Sequence, residues 1–388
     1  MSQLKNQEYT IGQHLRVDKL LYILLIAGIV LKQVHPVITI VCFLLILFYD
    51  KTRNETVSKF DFYTFEVILT FTLFVYNGLN TGFVTVTNAM WYSVPSILAF
   101  FIGRNRCSSL YKGENIYLFL FLLSTSLSIP HIPITIEDVL HNGLVNPDRS
   151  IGILDDDVQR AVTGRTVELS LAISGIATYF FLFINNTVSR INKYFVAIAI
   201  LAEVCTLHYV SRTGVVIFVI SIFAGYLLNR KSTKHIFVVI IFLIIGLYFI
   251  NQTGIFTVFA NREIDNSSFS DAGGRTDRWI FGWMMLVQNI HGYSIQGWYA
   301  HNFWLDFGRE GGLYCFLLLS IFSVSVFIKS IRIYRSSLVA KHLRMLILLF
   351  SIIFITTLFT EPVHSGSTVY MYSYFVFSGI IIQMSKEI

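Results

Sequence analysis

Hydrophobic residues run through this chain in long blocks, and short polar segments separate most of the blocks. A helix needs about 20 predominantly apolar residues to cross a lipid bilayer, and many of the blocks approach that length. The pattern therefore predicts an all-α polytopic membrane protein with about 12 transmembrane helices. The predicted spans are residues 20–31, 37–49, 61–79, 84–102, 115–133, 166–184, 194–210, 213–228, 235–250, 311–328, 343–360 and 367–384.

Two connections in this scheme are much longer than the others, at residues 131–165 and 251–310. The basic residues predict the side on which each loop lies, because cytoplasmic loops hold an excess of Lys and Arg. With 12 spans and a cytoplasmic N-terminus, 20 of the 29 basic residues fall on the inner side. Joining the first two blocks into one span makes that division less uneven. We therefore predict that both termini are cytoplasmic and that both long loops are extracytoplasmic.

The overall composition agrees with a membrane protein and narrows the classes of function. Hydrophobic residues make up 54% of the 388 positions and charged residues only 13%, whereas soluble domains carry about 25% charged residues. The net charge of +6 comes from short clusters between the spans, so it does not predict nucleic-acid binding. Four scattered cysteines indicate small packing residues rather than a disulfide framework or a metal site. We expect neither a metal nor a cofactor. The four cysteines are Cys42, Cys107, Cys205 and Cys315.

The second long loop contains a predicted amphipathic helix near residues 275–290. Gly273 and Gly274 permit a sharp turn before it, and Arg275 and Arg278 lie at its start. Apolar residues recur at three- and four-residue spacing, which predicts a helix lying flat in the outer membrane interface. The two arginines either contact lipid phosphates or face an anionic substrate. The apolar positions are Trp279, Trp283, Leu286, Val287 and Ile290.

The end of the same loop, residues 298–312, is the most polar and aromatic stretch of the chain. His301 can accept a proton from a hydroxyl group near neutral pH, and Asn302 can hold a sugar in place. Asp306 and Glu310 are either partners of His301 or residues that cap the tenth span, and Glu310 is most typical of a helix first turn. A purely structural role for His301 is the alternative hypothesis.

Two further charged residues lie at the predicted outer ends of spans. Arg212 occupies a very short turn, Ser211–Gly214, between the seventh and eighth spans. Its guanidinium either reaches lipid headgroups or binds a phosphate or diphosphate with two parallel hydrogen bonds. Glu361 lies at the outer end of the eleventh span, where it can reach the outer loops.

Three motifs in this order resemble the O-antigen polymerase and ligase superfamily. The first is the Ser-Arg-Thr-Gly turn at Ser211–Gly214, and the second is Gly-Gly-Arg at residues 273–275 followed by a Trp. The third is Gly-x-x-x-His-Asn-Phe-Trp-Leu-Asp at residues 297–306, with Gly-Gly before the next span. The resemblance is best between residues 211 and 314. The loop at 131–165 has no clear signature of the family.

The resemblance implies a metal-independent glycosyltransferase in the cytoplasmic membrane of a bacterium, acting on its outer face. The family's donors are glycans carried on undecaprenyl diphosphate. By position, Arg212 and Arg275 match arginines expected to hold the diphosphate, and His301 matches a histidine proposed to assist the acceptor hydroxyl. Charge and placement add four substrate-binding candidates, and the Asn302 amide is a fifth. The four are Arg278, Asp306, Arg309 and Glu361.

We favour a polymerase of the Wzy type, which moves the growing chain onto a new lipid-linked repeat unit. This activity builds O-antigen, capsule or exopolysaccharide, and direct displacement by the acceptor hydroxyl makes it inverting. The expected partners are the lipid-linked glycans, membrane lipids, a chain-length regulator and a flippase. One alternative is a ligase that transfers the glycan to lipid A–core. Another is a transporter or flippase, which predicts paired broken helices near the bilayer midplane.

Overall fold

The computed structural model describes residues 20–29, 31, 35–52, 60–82, 85–112, 131–142, 208, 219–220, 275–293, 295, 299–361, 363 and 368–388. All regular structure in these ranges is helical. The helices, numbered within the described ranges, are α1 Leu20–Ile29, α2 Pro36–Thr52, α3 Phe62–Asn80, α4 Val86–Lys112, α5 His131–Asn142, α6 Arg275–Gln288, α7 Phe303–Arg335, α8 Lys341–Thr360 and α9 Thr368–Glu387.

Four of these helices contain segments that are long and apolar enough to cross a membrane. The segments are Phe62–Asn80, Val86–Cys107, Phe303–Arg335 and Leu343–Thr360. Helices of this length and composition characterise an all-α membrane protein. Seven predicted spans lie mostly within described helices. The other five, at 115–133, 166–184, 194–210, 213–228 and 235–250, lie wholly or almost wholly outside the described residues.

Helix α9 lies at the centre of the described bundle, since 17 of its 20 residues are buried. It packs most extensively against α4, and glycine makes this close approach possible. A Cβ atom on Gly379 would lie 2.3 Å from the backbone oxygen of Phe100, and one on Gly103 would lie 2.0 Å from that of Val376. Small residues let helix backbones meet in this way inside membranes, where close packing replaces the hydrophobic effect as the main attraction between helices.

The predicted role of the cysteines as packing residues can be compared with the structure at three positions. Cys42, Cys107 and Cys315 are free and buried. The Cys315 thiol contacts the backbone oxygen of Thr70 at 3.4 Å, so it lies where α7 meets α3. Cys205 lies outside the described residues.

One end of the bundle, which we call the basic end, is held by ion pairs. Asp61 caps α3 by accepting a hydrogen bond from the Thr64 N–H, and its carboxylate also pairs with Arg104 at 2.8 Å. Lys386 of α9 pairs with the same carboxylate. Arg106 pairs with Asp50 of α2, and both side chains are buried. The Asp61 carboxylate joins the ends of α3, α4 and α9, because it accepts hydrogen bonds from several donors. The pair of Arg106 with Asp50 adds the end of α2.

Three pairs of neighbouring helices run antiparallel: α3 with α4, α7 with α8, and α8 with α9. Asp61 at the start of α3 meets Arg104 near the end of α4. The Ser351 hydroxyl of α8 donates to Ser330 of α7, and the Tyr370 hydroxyl of α9 donates to Thr357 of α8. The opposite end of the bundle, which we call the site end, therefore contains the start of α7, the end of α8 and the end of α3.

Candidate functional site

The candidate site is built on a break in α7 that the sequence analysis did not predict. The tenth predicted span begins at residue 311, but the helix begins at Phe303 and is interrupted at Gly312, whose φ is 87° and ψ is 174°. The Trp304 indole donates a hydrogen bond of 3.0 Å to the Ser323 hydroxyl. In a continuous helix these two residues would be about 28 Å apart along the axis. Residues 303–311 therefore fold back against the longer helix 313–335.

The peptide groups freed by this break find specific partners. Asn77 at the end of α3 donates from its side chain to the Gly311 carbonyl at 2.7 Å. The Tyr293 N–H donates to the Arg309 carbonyl, and the Leu313 N–H donates to the Ile290 carbonyl. Carbonyl and N–H groups at helix ends have no partner within the helix, so these bonds replace the missing helical ones. Glu310 consequently lies at the end of the short helix and not in the first turn of a span.

Helix α6 packs against this folded-back hairpin. The Trp283 and Phe316 rings are 5.5 Å apart, and a Cβ atom on Gly308 would lie 3.1 Å from the Leu286 side chain. The Tyr293 hydroxyl donates to the Gly282 carbonyl at 3.4 Å, and burial raises the pKa of Tyr293. The opposite face of α6 is apolar and exposed, as expected for a helix in contact with lipid. Its exposed residues include Ile280, Phe281, Met284 and Val287.

The end of α8 brings the start of α6 and the stretch around His301 to one place. Arg275, the first residue of α6, pairs with Glu361 at 3.3 Å, and this pair retains partial exposure, 21% for the arginine side chain and 11% for the carboxylate. Two residues earlier, the Phe359 carbonyl accepts a hydrogen bond from the Asn302 side chain at 3.3 Å. Arg275 and His301 were predicted from separate motifs, and the backbone of 359–361 connects them.

The other two arginines of the site differ in their exposure. Arg278 is exposed on the first turn of α6 and donates to the Tyr299 carbonyl at 3.4 Å. Arg309 is buried and pairs with its neighbour Glu310 at 2.9 Å. Its guanidinium also lies 5.4 Å from the centre of the Tyr299 ring. Arg278 is thus accessible to a ligand in solution, whereas Arg309 stabilises the position of the Tyr299 ring through a cation–π contact.

His301 has an unusual backbone conformation, with φ of 54°. The fully buried Asp306 carboxylate accepts the N–H groups on both sides of it, that of Ala300 at 2.7 Å and that of Asn302 at 3.3 Å. Asn302 caps the short helix by accepting the Leu305 N–H at 3.2 Å. The stretch 300–306 is therefore a tightly bonded turn with a half-buried imidazole at its centre.

Seven of the eight residues predicted for the site are at the site end. They divide into an accessible group and a buried framework, whereas the sequence alone assigns most of them directly to substrate. Arg212 lies outside the described residues. The accessible group is Arg275, Arg278 and His301, and the framework is Asn302, Asp306, Arg309 and Glu361.

Three residues that complete the site were not predicted. Asn77 holds the break, Phe359 contacts the Asn302 side chain, and Tyr299 contacts both Arg278 and Arg309. Each acts through a partner that is distant in sequence or through its backbone, so no local pattern indicates the role. The pair Gly311–Gly312 was the one available sign of a break.

Comparison of the sequence with protein-family models and with curated proteins gave no match. Within the described residues, no group of three or more His, Cys, Asp or Glu side chains is placed to hold a metal ion. The function must therefore be inferred from the chemistry of the site and from the resemblance in its motifs.

Proposed function

We propose that this protein is a polysaccharide polymerase that transfers a growing glycan from undecaprenyl diphosphate to a lipid-linked repeat unit. The proposal places it in the cytoplasmic membrane of a bacterium, with 12 spans, both termini inside and the site end outside. A flippase would supply the repeat unit and a chain-length regulator would act with it. The type of reaction is inferred from the resemblance to the O-antigen polymerase and ligase superfamily.

The observation that supports the proposal best is the proximity of Arg275 to the His301 turn. The pair of Arg275 with Glu361, and the bond of Asn302 to Phe359, attach both to the same three residues at the end of α8. Arginine binds phosphate oxygens with two parallel hydrogen bonds, and a neutral imidazole accepts a proton. A cation and a base at one end of an apolar bundle suit a substrate that has a diphosphate next to a sugar.

The proposed reaction is a direct displacement. The acceptor hydroxyl oxygen forms a bond to the anomeric carbon of the donor glycan as the bond from that carbon to the diphosphate oxygen breaks. The diphosphate leaves with the bonding electron pair, and His301 takes the proton of the hydroxyl. Arg275 and Arg278 stabilise the charge of the leaving group, because fixed cations require no reorganisation as that charge develops. Arg212 belongs to this proposal through the resemblance alone.

The break at Gly312 is the observation that favours the alternative of a transporter, since many transporters bind substrate at discontinuous helices. Those sites lie near the middle of the membrane. Here the break contacts Asn77, close to the C-terminal end of α3. The position of this break favours a site at the end of the bundle. The glycan profiles of variants distinguish a polymerase from a transporter.

The test is the glycan profile of a deletion strain complemented with variants, with protein levels checked by immunoblot. Wild type should restore long chains, whereas Arg275→Ala and His301→Ala should give single-repeat glycans. His291→Ala and Arg335→Ala change an exposed histidine of the α6–α7 connection and an exposed arginine at the basic end, and both should behave as wild type. Full-length chains that accumulate on the carrier lipid would instead identify a ligase. Repeat units retained on the inner leaflet would identify a transporter.

A further inference from the structure

His301 is the one non-glycine residue with a positive φ in the part of the chain that the structure describes. The left-handed region costs an ordinary L-residue about 1–2 kcal/mol, so the surroundings must impose this conformation. Such residues occur preferentially at active sites, where the fold holds a side chain in one direction. The structure identifies what imposes it at His301.

The Asp306 carboxylate is bonded to the peptide groups on both sides of His301. One oxygen accepts the Ala300 N–H at 2.7 Å and the other accepts the Asn302 N–H at 3.3 Å. A left-handed residue turns neighbouring N–H groups toward a common point, and such concavities bind anions. Here the anion is a side chain of the same chain. Asp306 is 0% exposed, so its carboxylate serves the turn and does not face a substrate.

Helix capping does not account for this arrangement. Asn302 already caps the short helix through the Leu305 N–H. In a capping box the acid lies three residues after the cap and bonds the N–H of the cap residue alone. Asp306 lies four residues after Asn302 and also bonds Ala300, which precedes the cap. The carboxylate therefore encloses His301 between its two bonds.

We propose that Asp306 is a positioning residue that locks His301 in its left-handed conformation and thereby directs the imidazole into the site. The inference rests on the proposed function only in assigning the imidazole a proton-accepting role. The positioning itself is a structural property and can be tested without any glycan substrate.

The decisive variant is Asp306→Asn in the full-length protein, purified in nanodiscs. An amide has one acceptor oxygen, and its NH2 group cannot accept an N–H, so one of the two bonds is lost. The probe is diethyl pyrocarbonate, which acylates accessible imidazoles, with rates at His301 and at the exposed His291 measured by peptide mass spectrometry. We expect the rate at His301 to change several-fold and the rate at His291 to stay constant. Equal rates at His301 in wild type and variant would overturn the proposal.

A second measurement separates positioning from general loss of folding. Glycine adopts positive φ without strain, so His301→Gly removes the backbone strain that Asp306 has to offset in the wild-type protein. Asp306→Asn should therefore destabilise the wild-type protein more than it destabilises the His301→Gly protein. The same loss in both backgrounds would show that Asp306 stabilises the turn independently of His301. Asp277→Asn, at an exposed acid of α6, serves as the control and should change neither measurement.

In cells, Asp306→Asn should shorten the glycan chains, since a displacement of about 1 Å at a reacting group can slow a reaction about a hundredfold. In a His301→Ala strain, Asp306→Asn should have no further effect on the glycans. If His301→Ala itself leaves the chains long, the proposed function fails, whereas the acylation rates still decide whether Asp306 positions the imidazole. Shortened chains with unchanged acylation of His301 would contradict the positioning role alone.

Discussion

At the scale of single residues, a proline inside α4 shows how this fold satisfies its backbone. Pro95 has no N–H, so it cannot donate to the carbonyl of Trp91 one helical turn earlier. The Tyr372 hydroxyl of α9 donates to that carbonyl instead, at 2.6 Å. An unpaired carbonyl within a membrane finds no water molecule that could donate a hydrogen bond to it. Tyr372 therefore repairs α4 and ties it to α9 with the same bond.

Tyr372→Phe should lower the free energy of unfolding by about 1–3 kcal/mol, because it leaves the Trp91 carbonyl without its donor. The measurement is denaturant unfolding in detergent. In a Pro95→Ala protein the alanine N–H can donate to Trp91, so Tyr372→Phe should cost less there. The same loss in both backgrounds would show that the bond to Trp91 contributes nothing.

At this scale, local chemistry in the sequence indicates candidate residues but not the contacts that they make. Arg275 and His301 stand out because a charged helix start and a polar stretch are rare in an apolar chain. Asp306 was predicted to bind substrate, yet its carboxylate bonds two peptide groups. The pair of Arg275 with Glu361 joins residues 86 positions apart. Such partners are fixed by tertiary packing, which no local pattern contains.

At the scale of helices, hydropathy predicted where most described elements lie, because apolar length is what a membrane helix requires. It missed the break in α7. A Gly-Gly pair before an apolar run also fits the start of a helix, so the sequence alone does not indicate a break there. The actual break depends on Asn77 and Ile290, whose polar groups bind the peptides around Gly312. The hairpin is thus specified by distant contacts.

Gly312→Ala should destabilise the protein much more than Gly82→Ala, although both glycines have positive φ. A Cβ atom at Gly312 would lie 2.5 Å from the Ile290 carbonyl oxygen, whereas one at Gly82 meets nothing within 4 Å. Both variants incur the left-handed penalty of about 1–2 kcal/mol, and only Gly312→Ala adds a clash with backbone. Unfolding in detergent measures both. Equal losses would mean that the backbone at Gly312 adjusts freely and that the hairpin is not rigid.

At the scale of the whole molecule, the ion pairs of the basic end and the candidate site lie at opposite ends of the bundle. The basic end holds the pairs of Arg104 with Asp61 and of Arg106 with Asp50. The site end holds His301 and Arg275. The excess of basic residues predicts that the basic end faces the cytoplasm. A polymerase of lipid-linked repeat units has its site on the outer face of the membrane. The proposed function therefore requires this orientation.

Cysteine labelling tests this orientation directly. In a protein whose four native cysteines are replaced by alanine, Asn80→Cys places a thiol on an exposed residue at the site end. Ser337→Cys places one in the exposed turn between α7 and α8, at the basic end. A membrane-impermeant maleimide should label the Asn80→Cys variant in intact cells, and the Ser337→Cys variant only after permeabilisation. The reverse pattern would put His301 on the cytoplasmic side, where outer-face polymerisation cannot occur, and the proposed function would fail even if the fold is right.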